Sequence, residues 1–348
     1  VEYVDETRPT PANGTFDEIS SRTLTCSIWY PAEGAGTVAE PAPDAALAKA
    51  GGPWPLILYA HGFSSNRNEN AKLASLLASR GFVVLAMDFP LTKLTAKGSA
   101  NAADVLNQPA DLRFLLDTIL ARSAESGDTL HGAIDPERVG LIGVSLGAMS
   151  SVMMAFYEAE LDERIKVIGT VAAPGCYLPP GFFSGRSIPI AIVHGSSDAV
   201  VPYAEHGPPM YESAQAPKLF VGIEGGTHTA IAGIGTDMIA SFDHPEIVGC
   251  HAMSINASVT PEALASLSSA VGGEDEATIR ARCPDPCYMA PDFFPAIDVY
   301  RQIELIALTF VPYFELTLGS DPAMKTAAEA FLFEQLGDAP EVTFLSDW

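Results

Sequence analysis

Positive charge is scarce in this chain. Its 348 residues carry 19 Lys and Arg against 43 Asp and Glu, a formal net charge of −24. Such a surface repels phosphate backbones and anionic head groups, which argues against nucleic acid and anionic membranes as partners. No run of 18 consecutive apolar residues occurs, so no integral membrane association is expected. The longest candidate, "IELIALTFVPYFELTL" (303–318), is interrupted by Glu304, Pro312 and Glu315 and reads as a packed amphipathic helix. Phosphate- and dinucleotide-binding glycine signatures are missing, so no cofactor is expected. The acids of "GGEDEAT" (272–278) lack the alternating spacing of a calcium loop and read as a solvated helix start; no metal is expected. The chain opens on Val1 with no leader-like stretch, which a leader already removed would explain.

Cysteine is also sparse, with five in all. Cys26, in the alternating stretch "TLTCSIWYP", is expected as a lone buried thiol. Cys176, Cys250, Cys283 and Cys287 allow three pairings. "CPDPC" with His244 and His251 fits no common zinc spacing, so disulfides are preferred, and they imply a secreted or periplasmic protein.

What the chain does have is a regular rhythm. Short apolar runs at 55–62, 82–90, 138–145, 165–174, 188–195 and 218–225 read as strands. Helical stretches fall at 68–81, 107–125 and 146–162, and again at 293–318 and 322–336. Val/Ile/Leu-rich strands alternating with helices predict an α/β fold with a mostly parallel central sheet covered on both faces. The Ala/Pro/Gly-rich stretch 31–55 reads as a surface excursion between two strands. Residues 229–292 break the rhythm and hold three of the five cysteines. They read as an insertion in a single domain spanning 1–348, either a loop pinned by disulfides or a lid over a site.

Within "RVGLIGVSLGAMSS" (138–151), Ser145 stands between Gly143 and Gly147 where a strand passes into a helix. G-x-S-x-G in that setting is a nucleophile elbow: the turn is too tight for flanking side chains, and the serine hydroxyl stands clear of the sheet edge. A serine hydroxyl needs a base, and in this architecture the order is Ser, then Asp or Glu, then His. His61 and His131 precede Ser145, and His194 lies within a strand. His206 lies on an expected helix, and His244 and His251 fall in the insertion. His228, just past a strand in "GGTHTAI", is the expected base. Asp198, in the loop after the strand 188–195, is the preferred orienting acid over Asp162, with Glu205 and Glu224 as further choices. Backbone N–H groups of Leu146 and Phe63 are expected to hold the oxyanion. His61 is expected to brace the Phe63 loop by hydrogen bonds.

With these residues in place, the chain resembles the α/β-hydrolase superfamily. It is similar to the dienelactone hydrolase-like, platelet-activating-factor acetylhydrolase-like and bacterial polyesterase (cutinase-like) branches. The likeness runs in register over about 23–230, through "LYAHGFSSNRNENAKLASLLASRGFVVLAMDF", "RVGLIGVSLGAMSS", "IPIAIVHGSSDAVVP" and "KLFVGIEGGTHTAI". It implies ester hydrolysis by Ser145, His228 and Asp198, with the substrate flanked by Phe63 and by an aromatic near Tyr177. Polyesterases usually carry a tryptophan at that second position and His or Tyr before the serine. This chain has Val144 there and no nearby tryptophan, and its long insertion is foreign to compact polyesterases.

The expected function is a monomeric serine carboxylesterase acting on small-molecule or polymeric esters. Polyester hydrolysis and phospholipid acetyl-ester hydrolysis are alternatives on the same residues. A non-catalytic ligand-binding relative is the remote one.

Overall fold

A computed structural model describes residues 1–34, 36–231, 236–256, 258–272, 274–288 and 295–348. Nine strands form one sheet: β1 (Glu2–Asp5), β2 (Arg22–Trp29), β3 (Trp54–Ala60), β4 (Val83–Asp88), β5 (Ile134–Val144), β6 (Ile165–Val171), β7 (Ile190–Gly195), β8 (Lys218–Ile223) and β9 (Val342–Asp347). Their spatial order is β1-β2-β4-β3-β5-β6-β7-β8-β9. The six strands from β4 to β8 in that order run parallel, while the pairs β1–β2, β2–β4 and β8–β9 are antiparallel. This is the mostly parallel α/β architecture that the apolar runs predict.

Alternation along the strands assigns two cores. Leu56, Leu58 and Ala60 of β3 point to one face, where they pack with α2 (Gln108–Ala124), α3 (Leu146–Phe156) and α4 (Tyr203–Ser213). Ile57 and Tyr59 point to the other, shared with α1 (Ala71–Ser79), the long helix α9 (Val299–Leu318) and Leu332 and Leu336, which follow the short helix α10 (Pro322–Ala330). The stretch 303–318 is therefore a packed helix, with Leu305, Ile306, Phe310, Tyr313 and Phe314 buried. It lies close to the sheet because β6 offers Gly169, where a Cβ would come within 2.5 Å of the Phe310 ring.

Several elements differ from their sequence expectation. Helix α3 stops at Phe156, because the chain turns back toward β6 through a bond from Asp162 N–H to Met154 C=O (2.9 Å). The stretch expected as a helix over 322–336 is α-helical only to Ala330 and continues as a π-turn, Phe331–Gln335. Of 293–318, residues 293 and 294 lie outside the described residues and the helix begins at Val299. The segment 229–292, read as irregular, carries four short helices among its described residues: α5 (Thr236–Ile239), α6 (Glu246–Ser254), α7 (Pro261–Gly272) and α8 (Glu276–Arg282). Small residues let these helices dock where bulk would not fit; a Cβ on Gly272 would meet Pro179 at 2.6 Å. The acids of "GGEDEAT" are absorbed locally. Asp275 caps α8 by accepting from Thr278 N–H, and Glu274 pairs with Arg282 at 2.7 Å.

Disulfides Cys176–Cys283 and Cys250–Cys287 tie this segment down, and Cys26 is a buried free thiol. Among the described residues, no helix is long and apolar enough to cross a membrane.

Phe310 fills the space above Gly169 and is fully buried. Phe310→Ala should cost about 3–5 kcal/mol of stability, the usual range for emptying such a site. Urea unfolding followed by tryptophan fluorescence measures it as a lower midpoint at unchanged slope.

Candidate active site

The expected residues come from the carboxyl ends of separate parallel strands, where ligands bind in open α/β sheets. Ser145 follows β5, Phe63 follows β3, Asp198 follows β7 and His228 follows β8. Far apart in sequence, they converge because the strands between them are adjacent in the sheet.

Ser145 has φ 51° and ψ −118°, a strained conformation for a residue with a side chain. The strain is held by close approach on both sides. A Cβ on Gly143 would lie 2.4 Å from Gly147 O, and one on Gly147 would lie 2.2 Å from Ala60 O. Ser145 N–H donates to Val171 C=O (2.8 Å), fixing the turn against β6. Helix α3 begins at Leu146, so its positive end faces the hydroxyl.

His228 Nε2 lies 3.0 Å from Ser145 Oγ, and its Nδ1 lies 2.8 Å from Asp198 Oδ2. Donating the Nδ1 proton to Asp198 leaves Nε2 free to accept from the serine hydroxyl. Asp198 is fully buried, and its Oδ1 accepts from Val201 N–H at 2.7 Å. Burial opposes its charge, but attraction to His228 and hydrogen bonds from His194 and His228 outweigh it and hold the carboxyl well below the usual range. Burial likewise opposes a charged His228, yet the Asp198 carboxylate, followed by Glu246 and Glu69, raises its pKa above the ordinary imidazole value.

The other candidates are employed elsewhere. Asp162 pairs with Arg164 (2.7 Å). Glu205 sits in the first turn of α4, and Glu224 is exposed beyond β8. His194 Nε2 contacts Val201 O (2.8 Å) behind Asp198. His206 packs against Tyr177, its ring tilted at 5.7 Å between centroids, and is kept neutral, its pKa pushed down to about 3 mainly by burial. His61 braces the Phe63 loop: Nδ1–H donates to Gly62 O (2.7 Å) and Nε2 accepts from Phe89 N–H (3.1 Å). Burial lowers its pKa to about 4.

Phe63, Leu146, Tyr177 and His206 line one small apolar cavity of about 50 Å³ beside Ser145. Its roof comes from the helical segment: Met253, Val259, Leu264, Leu267, Pro284 and Pro286. Cys176–Cys283 fastens the Tyr177 turn to the end of α8, and Arg282 Nε donates to Cys176 O (2.9 Å).

Three buried polar residues had not been singled out from sequence. Glu69 accepts from Tyr59 Oη (2.9 Å) and Gly62 N–H (3.1 Å), stiffening the loop that carries Phe63; burial raises its pKa to about 7. Gln302 of α9 clasps Thr227 at both backbone groups, 2.9 and 2.7 Å. Glu246 of α6 accepts from Ala199 N–H (3.0 Å) and Thr229 N–H (2.8 Å). No local motif marks these residues. The available hint was a polar side chain at a position in step with the apolar face of an amphipathic helix, as at Gln302 beside Ile303 and Ile306.

Comparison with known proteins identifies the family. The Escherichia coli K12 protein YfhR is 26% identical over 190 residues, covering 49% of this chain and 62% of that protein. Cutinase 1 of Thermobifida cellulosilytica is 25% identical over 171 residues, covering 49% of this chain and 58% of the cutinase. The chain thus spans about three-fifths of these relatives' lengths. A ferulic acid esterase from Streptomyces cinnamoneus superposes with a TM-score of 0.66 over 99% of this chain and 95% of that one, at 19% identity, which establishes the shared α/β-hydrolase fold. The family model described as PETase, PET hydrolase-like, matches residues 10–243, two-thirds of the sequence and every element from β2 to the loop holding His228. Of the three branches left open by the motifs, the chain belongs to the PET hydrolase-like family.

Proposed function

We propose that this chain is a serine carboxylesterase working through an acyl-enzyme. The observation that carries the reading is the unbroken run of contacts from Ser145 Oγ to His228 (3.0 Å) to the buried Asp198 (2.8 Å). Ser145 attacks the ester carbonyl as His228 Nε2 takes its proton. Asp198 holds the imidazole in the required tautomer and stabilises its charged form. N–H groups of Leu146 and Phe63 receive the developing oxyanion, aided by the start of α3. Collapse expels the alcohol, which takes the proton from His228. Water then attacks the acyl-enzyme by the same route, releasing the acid and restoring Ser145.

The roofed apolar cavity supports small acyl groups on soluble esters as preferred substrates. Helices α6–α8 are read as an inserted cover over the cleft, and their two disulfides fit an exported protein. The second reading, polyester hydrolysis, is favoured by the family match alone.

Ser145→Ala should lower kcat for p-nitrophenyl acetate by about 10³-fold or more. A variant within tenfold of the parent would remove the proposal.

The pH profile has a defined sign. The base must be neutral to accept a proton, and its pKa lies above the ordinary 6.5. kcat/KM should therefore rise with pH through a limb centred above 6.5, and a limb at or below that value would contradict the assigned base.

A panel from acetyl to long-chain esters, with a polyester film alongside, should show rates falling steeply beyond short acyl chains. Film hydrolysis matching the acetyl ester would favour the second reading.

A further inference from the structure

We propose that Glu246 is a positioning residue that sets the spacing of acid and base, so that the helical segment completes the active site as well as covering it. The inference rests on the assignment of Ser145, His228 and Asp198 proposed above.

Glu246 is 2% exposed. One carboxylate oxygen accepts from Thr229 N–H, next in sequence to His228, and the other from Ala199 N–H, next to Asp198. A single rigid carboxylate thereby spans the two loops, one residue from each functional side chain. The rest of the segment reinforces this grip. Ala199 C=O accepts from Cys287 N–H (2.7 Å), so both neighbouring backbone groups of the acid loop are held by the segment. Cys287 is bonded to Cys250, one turn along α6 from Glu246. Between them Gly249 lies so close to the histidine loop that a Cβ would stand 2.3 Å from Thr229 Oγ1. Through Cys250–Cys287, helix α6 is joined to a residue bonded to the acid loop, and its acidic side chain bridges both loops.

The chemistry requires a carboxylate here. Two buried N–H groups need acceptors, and an unmet one costs much of its hydration. Glutamine supplies one acceptor and turns an NH2 toward the other N–H. Aspartate keeps both acceptors but is one methylene too short to span the gap. The position also matters electrostatically. The titratable groups facing His228 are Asp198 from the acid loop, Glu246 from α6, Glu69 from the Phe63 loop and His206 from α4; those facing Asp198 are His228, His194, His206 and Glu246. Glu246 itself faces Asp198 and His228, and burial followed by the Asp198 charge raises its pKa to about 7. Above that pH Glu246 is an anion, and removing it lowers the pKa of His228.

The test compares Glu246→Gln and Glu246→Asp with the parent on a short-chain p-nitrophenyl ester across pH 5–9. Glu246→Gln should lose about 10- to 100-fold in kcat, with KM changed less than about threefold, as expected for a misplaced catalytic pair. Its acid limb should move to lower pH. Glu246→Asp should lose kcat with the limb unmoved, since charge is kept and reach is lost. kcat within twofold of the parent in Glu246→Gln, or a loss with the limb unchanged, overturns the proposal. If Glu246→Gln does not fold, Glu246→Asp decides: a folded variant with parental kcat overturns it, and a fivefold or greater loss at unchanged KM supports it. Ser145→Ala, assayed in parallel, separates the two ideas. An active Ser145→Ala removes the esterase reading itself, whereas an inactive one beside a normal Glu246→Gln removes only this inference.

Discussion

The candidate site depends on keeping one carboxylate charged where water cannot reach it. An isolated buried carboxylate is costly by several kcal/mol and would take up a proton instead. Asp198 escapes that outcome because Val201 N–H, His228 and His194 surround it with donors. Its charge then acts at short range on His228 and raises the imidazole's proton affinity. The loops that make this possible are stitched together by backbone: Ser197 N–H donates to Gly226 O and Ser196 N–H to Ile223 O, both at 2.8 Å.

The serine is prepared by a different constraint, backbone geometry. Strand β5 enters helix α3 with less clearance than a methyl group needs at Gly143 and Gly147. Ser145 is pushed into positive φ, and the bond to Val171 C=O keeps it there. Such strain costs on the order of 1–3 kcal/mol, and the buried sheet and the two cores flanking it offset it. Rigidity of the sheet thus becomes precision at its carboxyl edge.

The helical segment joins the two constraints. From above it lines the small cavity at Ser145, and from the side it reaches both loops through Glu246. Cys176–Cys283 fixes it to the Tyr177 turn, and Cys250–Cys287 joins α6 to the stretch after α8 within the segment itself.

Local sequence determined much of this molecule. The apolar runs fixed the six parallel strands, since buried β-branched residues leave few other uses for such stretches. The elbow was readable because a tight turn leaves a chemical trace, glycine on both sides of serine. Asp198 and His228 were readable from chain order and from their position just past strands. Tertiary structure alone decided the rest. Edge strands β1 and β9 are short and largely exposed, so burial left little mark on their composition. Helices α6–α8 carry mixed, weak periodicity because they pack partly on the cavity and partly toward solvent. Glu246 and Gln302 bond to backbone groups of distant loops and Glu69 to that of Gly62 within its own loop, and a backbone N–H carries no side-chain signature to announce its partner. Sequence points to the candidate reacting groups because reactivity resides in side chains. Their spacing is set by contacts between residues that meet only when the sheet brings its strand ends together.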